Sequence, residues 1–388
     1  MLNDNYNILN DSILQLPIFY SEGSCEQVIV DRLSEYRDFL MSNNIGDVSL
    51  RESIDLFIGK VSKMYEEYYL GHQNKAYALF KEAFEYETRG RLPVKTVLPK
   101  EPLYRARINN NNIDYSTDEM FHIKYSLRSK VKTQRYSFPG LPCLYLGASS
   151  YVCWLELDRP QMEQFQVAEI LQRDKTKDYE VIDFCVHPHA FYKELIAKDN
   201  NKKTEHENLT FDDYLRWWPI MAVCSVAVKN EDDPFKPEYI FPQFVLQYYL
   251  EEKMDDIIGI KYMSIKAGRV SMKQYESDYR TYANYVIPIK SLTGSLEEYC
   301  CELSNQFEVK NTVSGKEHQM ISDMVDVNQI KWEVIGNDEE IDETPLDKAV
   351  IYTKSGIPLH YGKSGFRKIE KILSGEIIKE LVYDDECF

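Results

Sequence analysis

The chain has 388 residues, a hydrophobic content of 44% and a formal net charge of −17. The length predicts two or three compact units, and the hydrophobic content argues against global disorder. The acidic balance argues against a protein that binds nucleic acid through its phosphates, because that affinity comes from clustered lysine and arginine.

The first 95 residues are predicted to form a helical domain. Apolar residues recur at helical spacing in three segments between Cys25 and Arg89. Ser49, with Glu52 three residues later, has the pattern of a capping box at the start of the second segment. Several prolines in residues 92–102 then exclude a helix and indicate a linker.

A mixed α/β domain is predicted over residues 96–292, followed by an α/β extension over residues 293–388. Strand-like runs alternate there with helical candidates near residues 150–158 and 241–253. The strand candidates are residues 103–107, 144–146, 179–184, 222–226, 258–262 and 285–289. The predicted fold class is therefore α+β.

The cysteines and the chain start predict a cytoplasmic protein with free thiols and no membrane association. The eight cysteines contain no CxxC pair, and neither a signal peptide nor an apolar run of membrane-spanning length is visible. Cys185, His187 and His189 are spaced like metal ligands. However, Pro188 and the lack of a fourth ligand favour a loop, so no metal site is expected.

A locally basic segment contains the first candidate binding residues. Arg105 and Arg107 share side parity on a predicted strand, and two guanidinium groups on one face would suit a pyrophosphate. Arg135, just before the Pro139-Gly140 turn, is a third candidate. The alternative for the strand arginines is a solvated or salt-bridged sheet edge.

Glu156, Tyr145 and Ser264 complete the candidate site. Glu156 lies about two turns into a helix that is predicted to begin near Ser149, after the apolar residues 152–155. A carboxylate on such a buried face would be suited to proton transfer, whereas an outward-facing glutamate would be only a surface residue. Tyr145 could stack on an aromatic ligand or pack in the core, and Ser264 could bond a ligand or simply end a strand.

These residues stand in ordered blocks that resemble the RES domain family, named for its Arg, Glu and Ser. The blocks are YRAR with Arg105, RY…PGLPCLYLGASS…E with Glu156, FPQFVLQYYLEE…GIKYMS with Ser264, and NYVIPI; they cover roughly residues 99–290. The resemblance implies a fold like that of the ADP-ribosyltransferases. It also implies a toxin of a toxin–antitoxin system that cleaves the nicotinamide–ribose bond of NAD+.

The resemblance also implies roles for single residues. Arg105, Tyr145 and Glu156 would be catalytic, and Arg105, Arg107, Arg135, Tyr145 and Ser264 would bind NAD+, with NAD+ as substrate and no cofactor or metal. The expected partners are an antitoxin or regulatory protein and further copies of the chain, but no nucleic acid. A protein ADP-ribosyltransferase and a non-enzymatic nucleotide sensor are the alternative functions.

The N-terminal helices resemble the HEPN-like units that accompany some longer RES proteins. Ribonuclease HEPN domains need an arginine and a histidine about a helical turn apart. The only histidine in this region is His72, and the nearest preceding arginine is Arg51. We therefore expect these helices to serve regulation or assembly, not RNA cleavage.

Overall fold

A computed structural model describes residues 4–89, 94–109, 113–252, 254, 256–268, 282–290, 299–319, 346–352 and 358–376. The helices are α1 (Cys25–Ser42), α2 (Val48–Tyr69), α3 (Gln73–Thr88), α4 (Ser150–Glu156), α5 (Pro188–Asp199), α6 (Phe211–Cys224), α7 (Ile240–Glu251), α8 (Ile265–Gly268), α9 (Cys301–Gln306) and α10 (Gly365–Ser374). The strands are β1 (Lys95–Val97), β2 (Leu103–Ile108), β3 (Cys143–Gly147), β4 (Phe165–Gln172), β5 (Glu180–Phe184), β6 (Ile257–Met263), β7 (Ala283–Pro288), β8 (Phe307–Ser314), β9 (Val350–Tyr352) and β10 (Pro358–His360).

The chain divides into two compact units, each assembled from separated segments. Unit 1 contains Met1–Leu98, Lys130–Leu141 and Tyr179–Ile265, and unit 2 contains Pro99–Ser129, Pro142–Asp178 and Lys266–Phe388. The predicted domains, 1–95, 96–292 and 293–388, are contiguous and have other boundaries than these units, and they stay a prediction.

The helical N-terminal region is present as α1, α2 and α3 of unit 1. The predicted capping box at Ser49 is wrong, because Asp47 caps α2 by accepting a hydrogen bond from the Leu50 N–H at 2.8 Å. Ser49 lies inside the helix, and its hydroxyl accepts from Arg216 of α6 at 3.2 Å. An aspartate two residues earlier therefore takes the place of the predicted cap.

Unit 1 also contains three strands, in the order β1, β5, β6. β1 pairs antiparallel with β5, and β5 pairs parallel with β6. Helix α6 packs on them through Trp217, whose ring stacks on Phe184 at 4.9 Å between centroids. The predicted strand at residues 222–226 is wrong, because residues 222–224 end α6. A helix buried all round has the same apolar run as a buried strand, so periodicity cannot separate them.

Unit 2 is built on five antiparallel strands, in the order β7, β3, β2, β4, β8. The strand β2 pairs with β4 over its whole length, with Arg105 opposite Ala168. In contrast, the register between β2 and β3 consists of a single pair, Tyr104 with Gly147. The pairing of β2 with β3 therefore ends just before Arg105 and Arg107.

The predicted α+β class with a helical N-terminal region is confirmed. The likeness to the ADP-ribosyltransferase fold stays a prediction. Within the residues that the structure describes, no helix combines the length and the apolar character that a membrane crossing requires.

Candidate active site

Arg105 lies at the opening between β2 and β3 in unit 2. Its Nη1 donates to the Tyr145 carbonyl at 3.4 Å, and the Cys153 thiol donates to the Tyr104 carbonyl at 3.3 Å. In this opening, side chains therefore donate the hydrogen bonds that the strand carbonyls accept. Burial, and then the charge of Arg107, lower the pKa of Arg105 to about 10. The Arg105 Nε is buried without a hydrogen-bond partner in the described part of the chain.

Arg107 continues the positive surface along β2. Its guanidinium lies 5.0 Å from the centroid of the Tyr115 ring, and Lys124 lies 5.2 Å from the centroid of Tyr299. Among the described ion pairs, neither Arg105 nor Arg107 has a carboxylate within 4.0 Å. A guanidinium partly removed from water without an anionic partner is a natural place for an anionic ligand.

His122 is a buried member of this basic and aromatic cluster. Burial lowers its pKa to about 4, so the imidazole is neutral at physiological pH. Its Nε2 accepts from the Cys300 N–H at 2.8 Å, and its ring lies edge-on to Tyr299 at 5.3 Å. Sequence patterns missed Tyr115, His122 and Tyr299, since single aromatic residues in loops have no distinguishing spacing.

Tyr145 lies on β3, opposite Val286 of β7, and is partly exposed. Its phenol hydrogen bonds with the thiol of Cys143, two residues earlier on the same side of the strand. Arg105 bonds to its backbone carbonyl. The structure thus brings Tyr145 and Arg105 together in unit 2, as the sequence predicts.

Helix α4 carries Glu156 and packs closely against the end of β3. Ser149 caps the helix by accepting from the Val152 N–H at 3.1 Å. The approach requires glycine at 147, because a Cβ there would lie 2.6 Å from Val152 Cγ1 and 2.7 Å from Cys153 Sγ. Cys153 of the same helix donates to the carbonyl of Tyr104, the residue before Arg105 on β2. The predicted carboxylate and the first predicted arginine therefore share one region.

Glu156 ends α4 and is partly exposed, in contrast to the buried residues before it. Its Oε1 accepts a hydrogen bond from Asn284 Nδ2 of β7 at 2.7 Å. Its backbone carbonyl accepts from Lys266 Nζ at 3.0 Å, and the same ammonium pairs with Asp158 at 2.7 Å. Both the side chain and the backbone of Glu156 are held from other segments of unit 2.

The turn that follows Glu156 is strained. Asp158 and Arg159 have φ angles of 62° and 56°, the left-handed region that L-residues seldom adopt. The Trp154 indole donates to the Pro160 carbonyl at 2.9 Å and helps to hold the turn. Such conformations cost about 1–3 kcal/mol each and cluster at functional sites.

Arg135 and Ser264 lie in unit 1, and their predicted part in substrate binding stays a prediction. Arg135 donates through Nη1 and Nη2 to the carbonyls of Cys224 and Val226 at 2.8 and 2.7 Å, and its guanidinium lies 5.2 Å from the centroid of Tyr239. These contacts secure the chain after α6. Ser264 follows β6 and is fully buried.

A second charged cluster, which the sequence did not reveal, lies inside unit 1. Ligand atoms of Asp183, Glu205 and His206 lie within 4.8 Å of one another, as in a metal site. However, Lys261 Nζ lies 2.8 Å from both Asp183 Oδ2 and Glu205 Oε1 and fills the place of a cation. We call Asp183, Glu194, Glu205, His206 and Lys261 the unit 1 ion network.

His206 is charged within this network. Its ring nitrogens face Asp183 at 3.2 Å and Glu194 at 3.1 Å. Burial lowers the pKa of His206, but the hydrogen bonds to these two carboxylates outweigh it and raise the pKa to about 9. Burial likewise opposes the charge of Asp183, while Lys261 and His206 lower its pKa to about 2. Each of the two cations in the network, His206 and Lys261, therefore lies between two carboxylates.

The chain is similar to a protein of Bacillus subtilis (strain 168) that is named "Putative toxin YopC". The two are 31% identical over 297 residues, which is 74% of this chain and 64% of that protein. The chain thus spans less than two thirds of the length of this relative. No protein-family model and no solved structure matches the chain.

Proposed function

We propose that this protein is a toxin that consumes NAD+ by cleaving the bond between nicotinamide and ribose. The observation that supports it most is the position of Arg105 and Arg107 on β2, where neither has a carboxylate within 4.0 Å among the described residues. The carbonyl of the neighbouring Tyr104 accepts a hydrogen bond from Cys153 of α4, the helix that carries Glu156. The relative that is named as a toxin supports the biological role.

Each residue would then have a chemical task. Arg105 and Arg107 would hold the pyrophosphate, and Tyr145 would pack against nicotinamide or its ribose. The C1′–N bond breaks and its electron pair stays on nicotinamide, which leaves as a neutral molecule and therefore needs no general acid. The ribose carbon becomes an oxocarbenium-like cation, which the Glu156 carboxylate would stabilise until phosphate or water attacks C1′.

The test is nicotinamide release from NAD+ by the purified protein, with and without inorganic phosphate. Glu156→Gln should lower the rate by at least about 100-fold and leave the unfolding temperature unchanged. Glu163→Gln is the matched control, since Glu163 is an exposed glutamate in the same unit. A folded Glu156→Gln variant with full turnover would refute the role of Glu156.

Binding of ADP, measured by calorimetry, tests the two arginines independently of turnover. Arg107→Ala should weaken ADP binding about 10- to 100-fold, because it removes charged hydrogen bonds to phosphate. Arg128→Ala is the control, since Arg128 is an exposed arginine of the same unit. Equal losses in both variants would show a diffuse charge effect, not a phosphate site.

The nicotinamide-release assay, together with ADP calorimetry, separates the remaining alternatives. Release that rises with phosphate and yields ADP-ribose-1″-phosphate indicates phosphorolysis. ADP-ribose attached to a protein indicates a protein ADP-ribosyltransferase, and binding without release indicates a nucleotide sensor. An antitoxin partner, self-association and a cytoplasmic location are further parts of the proposal.

A further inference from the structure

Asn284 makes a direct side-chain contact to the candidate catalytic carboxylate. It lies on β7 opposite Gly147 of β3 and is only 4% exposed. Its amide Nδ2 donates to Glu156 Oε1 at 2.7 Å. The position opposite Gly147 places the amide beside the strand end on which α4 packs.

A neutral donor has a particular effect on a carboxylate. An ammonium or guanidinium at the same place would cancel much of the negative charge, whereas an amide fixes one oxygen and preserves the charge. A glutamate at the end of a helix otherwise has several free rotamers, and fixing them costs up to about 2 kcal/mol. The contact at 2.7 Å removes this freedom before a ligand arrives.

Lys266 does not perform this task. Its ammonium lies 3.0 Å from the Glu156 backbone carbonyl and 2.7 Å from Asp158, so it secures the end of α4 and the strained turn. The Glu156 helix end and the Glu156 carboxylate are therefore held by different residues.

We propose that Asn284 is a positioning residue that orients Glu156 by holding Oε1, so that Oε2 faces the ribose carbon of the substrate. This inference rests on the proposed function. Asn284 contacts the carboxylate and not the reacting atoms, so its loss should affect the rate of bond cleavage and not substrate binding.

The experiment measures nicotinamide release and thermal unfolding for Asn284→Ala and the isosteric Asn284→Asp. Both should lower kcat at least about 10-fold and leave the KM for NAD+ within about twofold. Asn311→Asp is the matched control, because the Asn311 amide also donates from a strand of unit 2, to the Leu373 carbonyl at 2.7 Å. It should leave kcat unchanged.

A swapped pair tests the contact without relying on turnover. In the double variant Asn284→Asp with Glu156→Gln, the glutamine amide can donate to the new aspartate. Asn284→Asp alone should lower the unfolding temperature, and the double variant should restore it without restoring activity. No recovery of the unfolding temperature would overturn the contact.

The outcomes separate the positioning role from the function itself. If the wild-type protein is active and its Asn284 variants keep full kcat, or change only the KM for NAD+, the positioning role alone is overturned. A folded wild-type protein that releases no nicotinamide would overturn the proposed function, and the positioning role would fall with it.

Discussion

The unit 1 ion network and the arginines of β2 in unit 2 place charged side chains in opposite surroundings. In the unit 1 ion network, Lys261 and His206 each lie between two carboxylates at 2.8 to 3.2 Å. In unit 2, Arg105 and Arg107 lie near each other, and each repels the other's charge. A buried charge tolerates the loss of water when an opposite charge lies beside it, whereas desolvated charges of one sign are costly unless a ligand supplies the opposite charge.

Arginine itself shows the same contrast. Arg135 of unit 1 donates to two backbone carbonyls, so its fork is already occupied. Arg105 of unit 2 donates, among the described residues, to one carbonyl at the longer distance of 3.4 Å. In the sequence, both residues are candidates because a guanidinium group can bind phosphate. Only their surroundings in the fold distinguish the structural arginine from the candidate ligand-binding one.

The largest effect is expected from removing the central cation of the unit 1 ion network. Lys261→Met should destabilise the fold by about 3–5 kcal/mol, because it leaves Asp183 buried without its ammonium partner. Denaturant unfolding measures this change. Lys81→Met is the control, since the exposed pair of Lys81 with Glu252 at 2.7 Å should contribute less than about 1 kcal/mol. Equal losses in both variants would contradict a special role for the network.

The pH dependence of stability should reveal His206 as part of the same network. The folded-state pKa, about 9, is higher than the ordinary value of 6.5. The stabilisation is therefore complete below pH 6.5 and is lost as the pH rises through about 9, with a limit of about 3 kcal/mol. Unfolding of wild type and His206→Gln between pH 6 and 10 checks this. A wild-type curve parallel to that of the variant would show that His206 is not charged in the folded protein.

The smallest change in stability, but the clearest contrast, is expected from the arginines. Arg135→Met should destabilise unit 1 by about 2–3 kcal/mol, since two buried carbonyls lose their donors. Arg105→Met should change stability by less than about 1 kcal/mol, because it removes a desolvated charge that has no carboxylate partner among the described residues. It should instead weaken ADP binding. Thermal unfolding and ADP calorimetry compare the two variants. If Arg105→Met lost stability and Arg135→Met lost ADP binding, Arg105 would be the structural arginine and Arg135 the ligand-binding one.

Much of the local structure was predictable from the sequence. Helical spacing located α1, α2 and α3, and apolar runs located β3, β5, β6 and β7. The failures at residues 222–226 and at the cap of α2 have local causes, since a fully buried helix lacks polar alternation and two nearby polar residues can each cap a helix.

By itself, the sequence determined the α+β class, the helical beginning and the order of Arg105, Tyr145 and Glu156 along the chain. Only the tertiary structure decided which charges are compensated. Asn284 lies 128 residues after Glu156, and Lys261 lies 78 residues after Asp183, so no local pattern records either contact. Strand pairing and helix packing bring such groups together, and burial then determines whether a charge is paired within the protein or left for a ligand.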